Sequence, residues 1–363
     1  MLIIDAHEDI AYNALAMGRD IRHSVHETRL REEREGVNLG EDGTGGIAMS
    51  GLPELRRGGF GVVFGVIFAF PMHAATCCDS CYAQSYTNAE EAYAVAQQQM
   101  AYYNMLAQEP GISLVRTQQD LARVLTAWEH SSPAEPERPL GIVPLMEGAD
   151  PIRTPEEAAQ WYAAGLRIVG PAWQQTRYSG GTAAPGPLTP DGKSLLREME
   201  RVGLILDTTH LAEESFWQAL EHFQGAVIAS HSNCRVFAPG DRQLSDAMIR
   251  ALAERDGVIG IVPFNKFLTA DWTRERRFPV TLNQIVLHID HVCQLTGDAL
   301  HVGIGSDIDG GFGRDETPLE LDTVVDIARL ADALRTRGYT EEAVLNVMGG
   351  NWRRLLERAL PSD

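Results

Sequence analysis

The sequence predicts a (β/α)8 barrel, built as one domain over residues 1–363. Two observations carry this prediction: apolar, β-branched runs recur eight times along the chain, and amphipathic helical stretches lie between them. Buried strands that alternate with helices are typical of a parallel sheet covered on both faces. Eight such strands favour closure into a barrel over an open, doubly wound sheet.

The predicted strands are rich in Val, Ile and Leu, whereas the predicted helices repeat their apolar residues with helical spacing. The strands are 2–7, 61–70, 140–147, 166–170, 204–210, 226–231, 257–264 and 300–307. The helices are 89–107, 193–202, 245–255 and 321–337, and the segment MGGNWRRLL adds a final helix.

The segment 18–59 interrupts this alternation. It is long and polar, and it contains the stretch RLREEREGVNLGEDGTGG, which is rich in charge and glycine. Such a composition is typical of loops. We therefore predict an extended loop, inserted after the first strand and ordered over the mouth of the barrel.

The charge balance excludes one class of partner. Thirty-one basic residues stand against fifty acidic ones, which leaves a net charge of −19. A protein that binds nucleic-acid phosphates needs a basic face, so we expect no nucleic-acid partner. Neither a run of eighteen apolar residues nor a basic, apolar leader is found, so the sequence predicts no membrane span and no signal peptide. We expect a cytoplasmic protein.

Five cysteines, an odd number, make a disulfide framework improbable in a chain of this size. Three of them lie close together with a histidine in the stretch HAATCCDSC: His73, Cys77, Cys78 and Cys81. One histidine with three cysteines is a known structural zinc set. The paired C-x2-C spacing is missing, however, so reduced thiols in a loop are the favoured interpretation.

Polar, ionisable residues follow the predicted strands at their carboxyl ends. The chain opens with MLIIDAHEDI, in which a buried strand ends in acids and an imidazole on alternate positions. Side chains at alternate positions of a strand share one face, and in a barrel the carboxyl ends of all strands meet at one mouth. The residues concerned are His7, Asp9, Glu147, His210, His231 and Asp307.

These six residues predict a metal centre. A single histidine on an apolar strand is more often a hydrogen-bonded core residue, but six such groups on five strands are hard to explain in that way. Imidazole and carboxylate ligands suit zinc and related divalent ions. One catalytic ion usually takes three protein ligands, so a two-metal site with a bridging carboxylate fits the number of ligands better. One acid then remains to transfer protons.

The motifs DAHEDI, LMEGAD, LDTTHL, ASHSN and GIGSDIDG resemble, in order and spacing, those of the membrane (renal) dipeptidase family, peptidase family M19. Segments such as GLPELRRGGFGVVFG and GYTEEAVLNVMGGNWRRLL extend the likeness over nearly the whole chain. The resemblance implies a TIM-like barrel of the metal-dependent hydrolase type that holds two zinc ions.

The resemblance also implies a role for each ligand. His7 and Asp9 would hold the first ion, His210 and His231 the second, and Glu147 would bridge them. Asp307 would take a proton from the bridging water and deliver it to the leaving amine, which agrees with the chemistry of a carboxylate beside metals. Asp207, on the strand before His210, is expected to support the site or to make a buried hydrogen bond.

Two further residues concern the substrate. Arg242 occupies the place of the family's arginine that binds the terminal carboxylate, although a lone loop arginine is often a solvated surface residue. Trp173 occupies the place of a family histidine that stabilises the oxyanion, as far as the two can be aligned. Indole offers one N–H donor and no charge, so the oxyanion would depend on zinc, on Trp173 itself, or on Arg177 or Tyr178.

The predicted metal centre and the family resemblance together imply a binuclear zinc dipeptidase acting on small dipeptides, including those with a D-residue at the C-terminal position. A second hypothesis keeps the barrel and the metals but changes the bond to that of an N-acyl amino acid, a lactone or another small ester or amide. A third is a non-catalytic metal-binding scaffold, which would have no need of a free acid. The family suggests a homodimer.

Overall fold

A computed structural model describes residues 1–37, 46–72, 81–276 and 278–363 of the chain, except for the side chains of residues 81 and 82. The predicted barrel is confirmed: eight parallel strands follow one another in chain order around it. A bridge between Ala229 and Ile259 joins the sixth strand to the seventh and completes the ring. The strands are β1 Ile3–Glu8, β2 Phe60–Phe68, β3 Leu140–Glu147, β4 Ile168–Gly170, β5 Ile205–Asp207, β6 Val227–Ile228, β7 Ile259–Ile261 and β8 Val302–Ile304.

Helices surround the barrel and connect its strands. They are α1 Ile10–Met17, α2 Val25–Glu35, α3 Leu52–Gly58, α4 Ala89–Leu106, α5 Gln118–His130, α6 Ala158–Ala164, α7 Pro190–Val202, α8 Glu213–His222, α9 Asp246–Glu254, α10 Asn265–Leu268, α11 Leu282–Thr296, α12 Leu330–Arg337, α13 Glu341–Leu345 and α14 Asn351–Ala359. Short 3-10 segments at Cys81–Gln84, Pro155–Glu157, Arg314–Glu316 and Val324–Arg329 and a π-turn at Asn346–Gly350 complete the helical part.

Within the described parts of the chain, five short strands lie outside the barrel ring. Ile112–Leu114 pairs in parallel with β3. Phe70–Pro71 pairs with Ser85–Tyr86, and Ser179–Gly181 forms a hairpin with Ala184–Leu188. None of these was predicted from the sequence, because runs of two to five residues are too short to show a period.

The prediction of an extended loop over 18–59 was wrong in its local structure. Helix α2 begins after Ser24, whose side chain accepts from the Glu27 N–H while the Glu27 carboxylate accepts from the Ser24 N–H, and the helix ends at Gly36. This reciprocal pair is a capping box, a sequence signal for a helix start that outweighs the polar composition. Helix α3 follows within the same segment.

Among the described residues, the barrel and the helices enclose two large apolar clusters and one small one, and helix α14 belongs to the second, which contains Phe64. Helix α14 closes one side of that cluster with Trp352, whose indole N–H donates to the Ile304 carbonyl over 2.9 Å and whose ring meets Phe64 edge-on at 5.3 Å. A Cβ atom at Gly303 would collide with this indole, so the close approach of α14 to β8 requires glycine there.

The fold brings the carboxyl ends of all eight strands to one mouth, where polar side chains emerge from the apolar barrel. Among the residues that the structure describes, none of the helices combines the length and the apolarity needed to cross a lipid bilayer.

Candidate metal centre

The six predicted residues converge at the mouth of the barrel. Each of them ends a strand or follows it within three residues, on β1, β3, β5, β6 and β8. Their side chains are almost completely withdrawn from solvent. Buried ionisable groups at this density are costly unless they are paired or bind a metal.

The Glu147 carboxylate lies at the centre of the cluster, and three imidazoles direct their Nε2 atoms at it. Its Oε2 lies 3.7 Å from His7 Nε2. Its Oε1 lies 3.0 Å from His210 Nε2 and 3.4 Å from His231 Nε2. The two oxygens therefore face different imidazoles, His7 on one side and His210 with His231 on the other.

The His7 side of the cluster also holds two acids. His7 Nε2 lies 3.6 Å from Asp9 Oδ2 and 3.8 Å from Asp307 Oδ1. The ligand atoms of His7, Asp9 and Asp307 all lie within 4.8 Å of one another, and so do those of His7, Glu147 and His231. Asp307 is therefore within ligating reach of the His7 side.

Three atoms at the centre of this cluster are buried without a hydrogen-bond partner: His7 Nε2, Asp9 Oδ1 and Glu147 Oε1. A lone pair buried in this way loses its hydration and gains nothing unless a cation or a donor faces it. All three are ligand atoms that zinc and similar ions accept. The residues present therefore fit a divalent metal ion.

The electrostatics of the cluster point the same way. Burial raises the pKa of Glu147 to about 8 and raises that of Asp307 well above its usual range. Burial opposes the charged form of His7, but the nearby carboxylates, Glu147 first, outweigh it and raise its pKa to about 10. The carboxylates of the cluster thus have few positively charged groups to pair with. A bound cation would replace these protons, because metal ligands must be deprotonated.

The backbone at two of these residues is unusual. His210 has φ 67° and Asp307 has φ 53°, in the left-handed region that residues other than glycine rarely adopt. Such conformations cost free energy and persist where the surroundings fix them, often at functional sites. No sequence pattern predicts a left-handed backbone conformation at a histidine.

Two aspartates support the cluster from below. Asp5 accepts hydrogen bonds from the N–H groups of His7 and Ser306, at 3.2 and 2.7 Å. Asp207 accepts from the N–H groups of Thr209 and Ser230 and from the Ser230 hydroxyl. The buried hydrogen bond predicted for Asp207 is therefore present, and a supporting role in the metal site stays a prediction. Asp5 was visible only as the first acid of the opening motif.

Arg242 is buried beside the second group of imidazoles rather than solvated at the surface. Its Nη2 donates to the His231 carbonyl over 2.8 Å, and its Nη1 donates to Ser232 Oγ over 3.2 Å. Its Nε is buried without a hydrogen-bond partner. A guanidinium has five N–H groups, so it keeps donors beyond these two bonds, the Nε–H among them.

Trp173 forms one wall of the mouth. Its ring centroid lies 5.2 Å from that of Phe68, 5.4 Å from that of Phe70 and 6.2 Å from that of His210. The side chain is half-buried, so part of its face is exposed at the mouth. Neither Phe68 nor Phe70 was singled out from the sequence, because both lie in an apolar run.

The two alternative oxyanion donors are not available in the structure. The Tyr178 side chain is fully buried and its hydroxyl donates to the Ile152 carbonyl. The Arg177 guanidinium donates to the Asp150, Ile152 and Arg153 carbonyls. Proximity in sequence to Trp173 was misleading, because both side chains hold the 150–153 turn instead of facing the metal cluster.

The cysteine cluster cannot be placed. His73, Cys77 and Cys78 lie outside the described residues, as does the side chain of Cys81. Of the other two cysteines, Cys234 is a buried free thiol and Cys293 a partly buried one.

Comparison with known proteins agrees with this site. The model of the membrane dipeptidase family, peptidase family M19, matches residues 1–360. A metallopeptidase of Rhodobacter sphaeroides, solved with a phosphinate mimic of the dipeptide L-Ala-D-Ala, is 26% identical, covers 99% of both chains and superposes with a TM-score of 0.77. A solved M19 metallopeptidase, dipeptidase AC, is 25% identical over 99% of both chains with a TM-score of 0.76.

A protein of Klebsiella pneumoniae encoded in the pqqA 5′ region, whose function is uncharacterised, is 33% identical over 228 residues. The match covers 60% of this chain and 82% of that protein. Since the family model spans the chain almost from end to end, and the donor set fits a divalent ion, the chain belongs to the membrane dipeptidase family, peptidase family M19, and is a metal-dependent hydrolase of the dipeptidase class.

Proposed function

We propose that the protein is a binuclear zinc dipeptidase that hydrolyses the peptide bond of free dipeptides. The observation that carries this proposal is the Glu147 carboxylate, whose two oxygens face separate groups of imidazoles at 3.0–3.7 Å. This arrangement suits a bridge between two ions. His7 and Asp9 would hold one ion, and His210 with His231 would hold the other.

Bound metal ions polarise the scissile carbonyl and lower the pKa of water, which makes a nucleophile at neutral pH. The residues of the chain then supply binding and proton transfer. Asp307, 3.8 Å from His7 Nε2, would accept a proton from the attacking water and pass it to the leaving amine. The cluster is buried, which limits competing solvent.

The substrate is oriented by Arg242 and Trp173 in this proposal. The free Nε of Arg242 lies on the His231 side, so the terminal carboxylate would bind there. Trp173 would cover the His210 side and contact a substrate side chain. The ligand of the Rhodobacter sphaeroides enzyme mimics L-Ala-D-Ala, which supports including a D-residue at the C-terminal position.

Two other activities compete with this proposal. An N-acyl amino acid, a lactone or another small ester or amide would use the same metals and the same Asp307. A non-catalytic scaffold is less well supported, because the model of a metallopeptidase family matches residues 1–360 of the chain. Hydrolysis of L-L and L-D dipeptides by metal-replete protein, compared with N-acyl, ester and lactone controls, separates these functions.

In that experiment we expect close to two divalent ions per chain and turnover of dipeptides that is lost on chelation and restored by zinc. A stoichiometry of one ion with full activity would contradict the binuclear proposal. Preferential turnover of a lactone or an N-acyl amino acid would be consistent with the proposed metal site but would contradict the proposed dipeptide substrate.

Arg242→Ala should raise KM for dipeptides by about 10- to 150-fold, because a hydrogen bond to a charged group contributes roughly 1.5–3 kcal/mol. KM on dipeptides and on C-terminal dipeptide amides gives the measurement, with metal content checked in parallel because Arg242 also donates to the His231 carbonyl. The natural protein should discriminate strongly against the amides. Equal rates on dipeptide and amide would remove Arg242 from carboxylate binding.

Trp173→Phe should change side-chain preference while kcat on the best dipeptide stays within a few-fold, since a wall acts through its apolar face. If the indole N–H instead stabilises the oxyanion, the same variant should lower kcat with little change in KM. Kinetics over a panel of small and aromatic dipeptides decide between the two roles. A lower Tm with unchanged kinetics would leave Trp173 a packing residue only.

A further inference from the structure

The three imidazoles of the cluster share one hydrogen-bonding pattern. Each directs Nε2 at the Glu147 carboxylate and has Nδ1 near a side-chain hydroxyl. His231 Nδ1 lies 2.9 Å from Ser230 Oγ, and His7 Nδ1 lies 3.5 Å from the same atom. His210 Nδ1 lies 2.9 Å from Thr182 Oγ1. Two hydroxyls thus serve three imidazoles that come from three different strands.

The hydrogen-bonding capacity of Ser230 determines the direction of its bonds. A hydroxyl has one donor and two acceptor positions. The Ser230 hydroxyl donates to Asp207 Oδ2. The other oxygen of that carboxylate, Oδ1, accepts from the N–H groups of Thr209 and Ser230, which fixes the Asp207 side chain. Both acceptor positions are then free for the Nδ1–H groups of His231 and His7. The remaining neighbour, Thr209 Oγ1, is 3.4 Å away.

Thr182 occupies the turn of the hairpin formed by Ser179–Gly181 and Ala184–Leu188. Its N–H donates to the Trp173 carbonyl over 3.1 Å, which fixes the turn against the mouth of the barrel. The same Trp173 main chain interacts with the His210 ring. His210 therefore lies beside two oxygen acceptors, one from the Trp173 main chain and one from the Thr182 hydroxyl.

We propose that Ser230 and Thr182 are positioning residues that fix all three imidazoles in the Nδ1–H tautomer. Ser230 would act on His7 and His231, which belong to different metal positions, and Thr182 would act on His210 alone. The inference rests on the proposed function, in which these imidazoles bind two ions. In that tautomer Nε2 carries the lone pair that a metal requires. Loss of a hydrogen-bond partner of a ligating histidine commonly lowers metal affinity by about 10- to 100-fold.

The shared hydroxyl makes a distinctive prediction. Losing Ser230 removes the acceptor of His7 and His231, which face different oxygens of Glu147 and would bind different ions, so both binding steps should weaken. Losing Thr182 affects His210 alone, so only one step should weaken. If either residue has only a structural role, its replacement should lower stability without this difference between two weakened binding steps and one.

The test is titration of metal-free protein with Zn²⁺ in the presence of a competing chelator, repeated with Co²⁺ to follow the absorption of each site. Ser230→Ala should weaken both steps, and Thr182→Val should weaken one, each by about 10- to 100-fold. Thr182→Ser restores the hydroxyl and should restore that step. Ser215→Ala is the matched control for Ser230→Ala, because this buried hydroxyl donates to the Gly186 carbonyl instead of meeting an imidazole of the cluster.

Wild-type affinity at both steps in Ser230→Ala and Thr182→Val would overturn the inference and leave the proposed function intact, provided that His231→Ala loses metal. Equal weakening of both steps by Ser230→Ala and by the Ser215→Ala control would also overturn it, since the effect would then follow stability. Absence of any metal binding by the natural protein would instead count against the proposed function.

Discussion

Replacing Asp307 with asparagine is expected to lower kcat by a factor of about 10²–10⁴, the range of a positioned general acid or base. The variant keeps the size of the side chain but offers an amide that neither accepts a proton from water nor delivers one to an amine. Asparagine also tolerates the left-handed backbone of this position, φ 53°, so the fold should be retained. Metal content and kcat together give the measurement.

Asp309→Asn is the matched control for this prediction. It makes the same chemical change two residues along the chain, at a similar φ of 63°. The Asp309 carboxylate accepts from the N–H groups of Met49 and Ser50, so its loss should affect stability more than kcat. Because Asp307 lies within ligating reach of the His7 side, metal loss in the Asp307→Asn variant would identify it as a ligand instead.

The metal-ligand candidates could be predicted because they follow an architectural rule. His7, Glu147 and His231 end buried apolar strands or follow them, where a polar group has no structural reason to be unless it binds something. Closure of the barrel then brings residues far apart in sequence to one mouth. Chain order and strand ends were sufficient for this inference.

The surroundings of the cluster could not be predicted in the same way. Ser230 and Thr182 carry hydroxyls that have no periodic pattern, and their value depends on which atom each hydroxyl meets. Arg177 and Tyr178 were considered as oxyanion donors because they follow Trp173, but side-chain direction is decided by contacts with distant carbonyls. The capping box of α2, in contrast, is visible in the sequence as Ser24 and Glu27. The polar composition of the segment nevertheless led to the prediction of a loop.

Replacing Glu147 with glutamine should have the largest effect of all, because this carboxylate faces all three imidazoles. A neutral amide bridges two cations poorly, and its NH2 group would point a donor at Nε2 atoms or at the ions themselves. We expect fewer than two ions per chain and a loss of kcat/KM greater than the 10²–10⁴ expected for a proton-transfer residue.

Thermal unfolding offers a readout of the same variant that does not depend on catalysis. Metal that binds only the folded state raises Tm, and for the natural protein this rise should grow with the concentration of free zinc. In Glu147→Gln the rise, measured from the Tm of the metal-free variant, should be small or absent. Glu147→Asp keeps the charge and shortens the reach, so it should retain part of the rise. A glutamine variant that binds two ions and shows the full increase would mean that Glu147 does not bridge, and the acids Asp9 and Asp307 would then have to hold the ions on the His7 side.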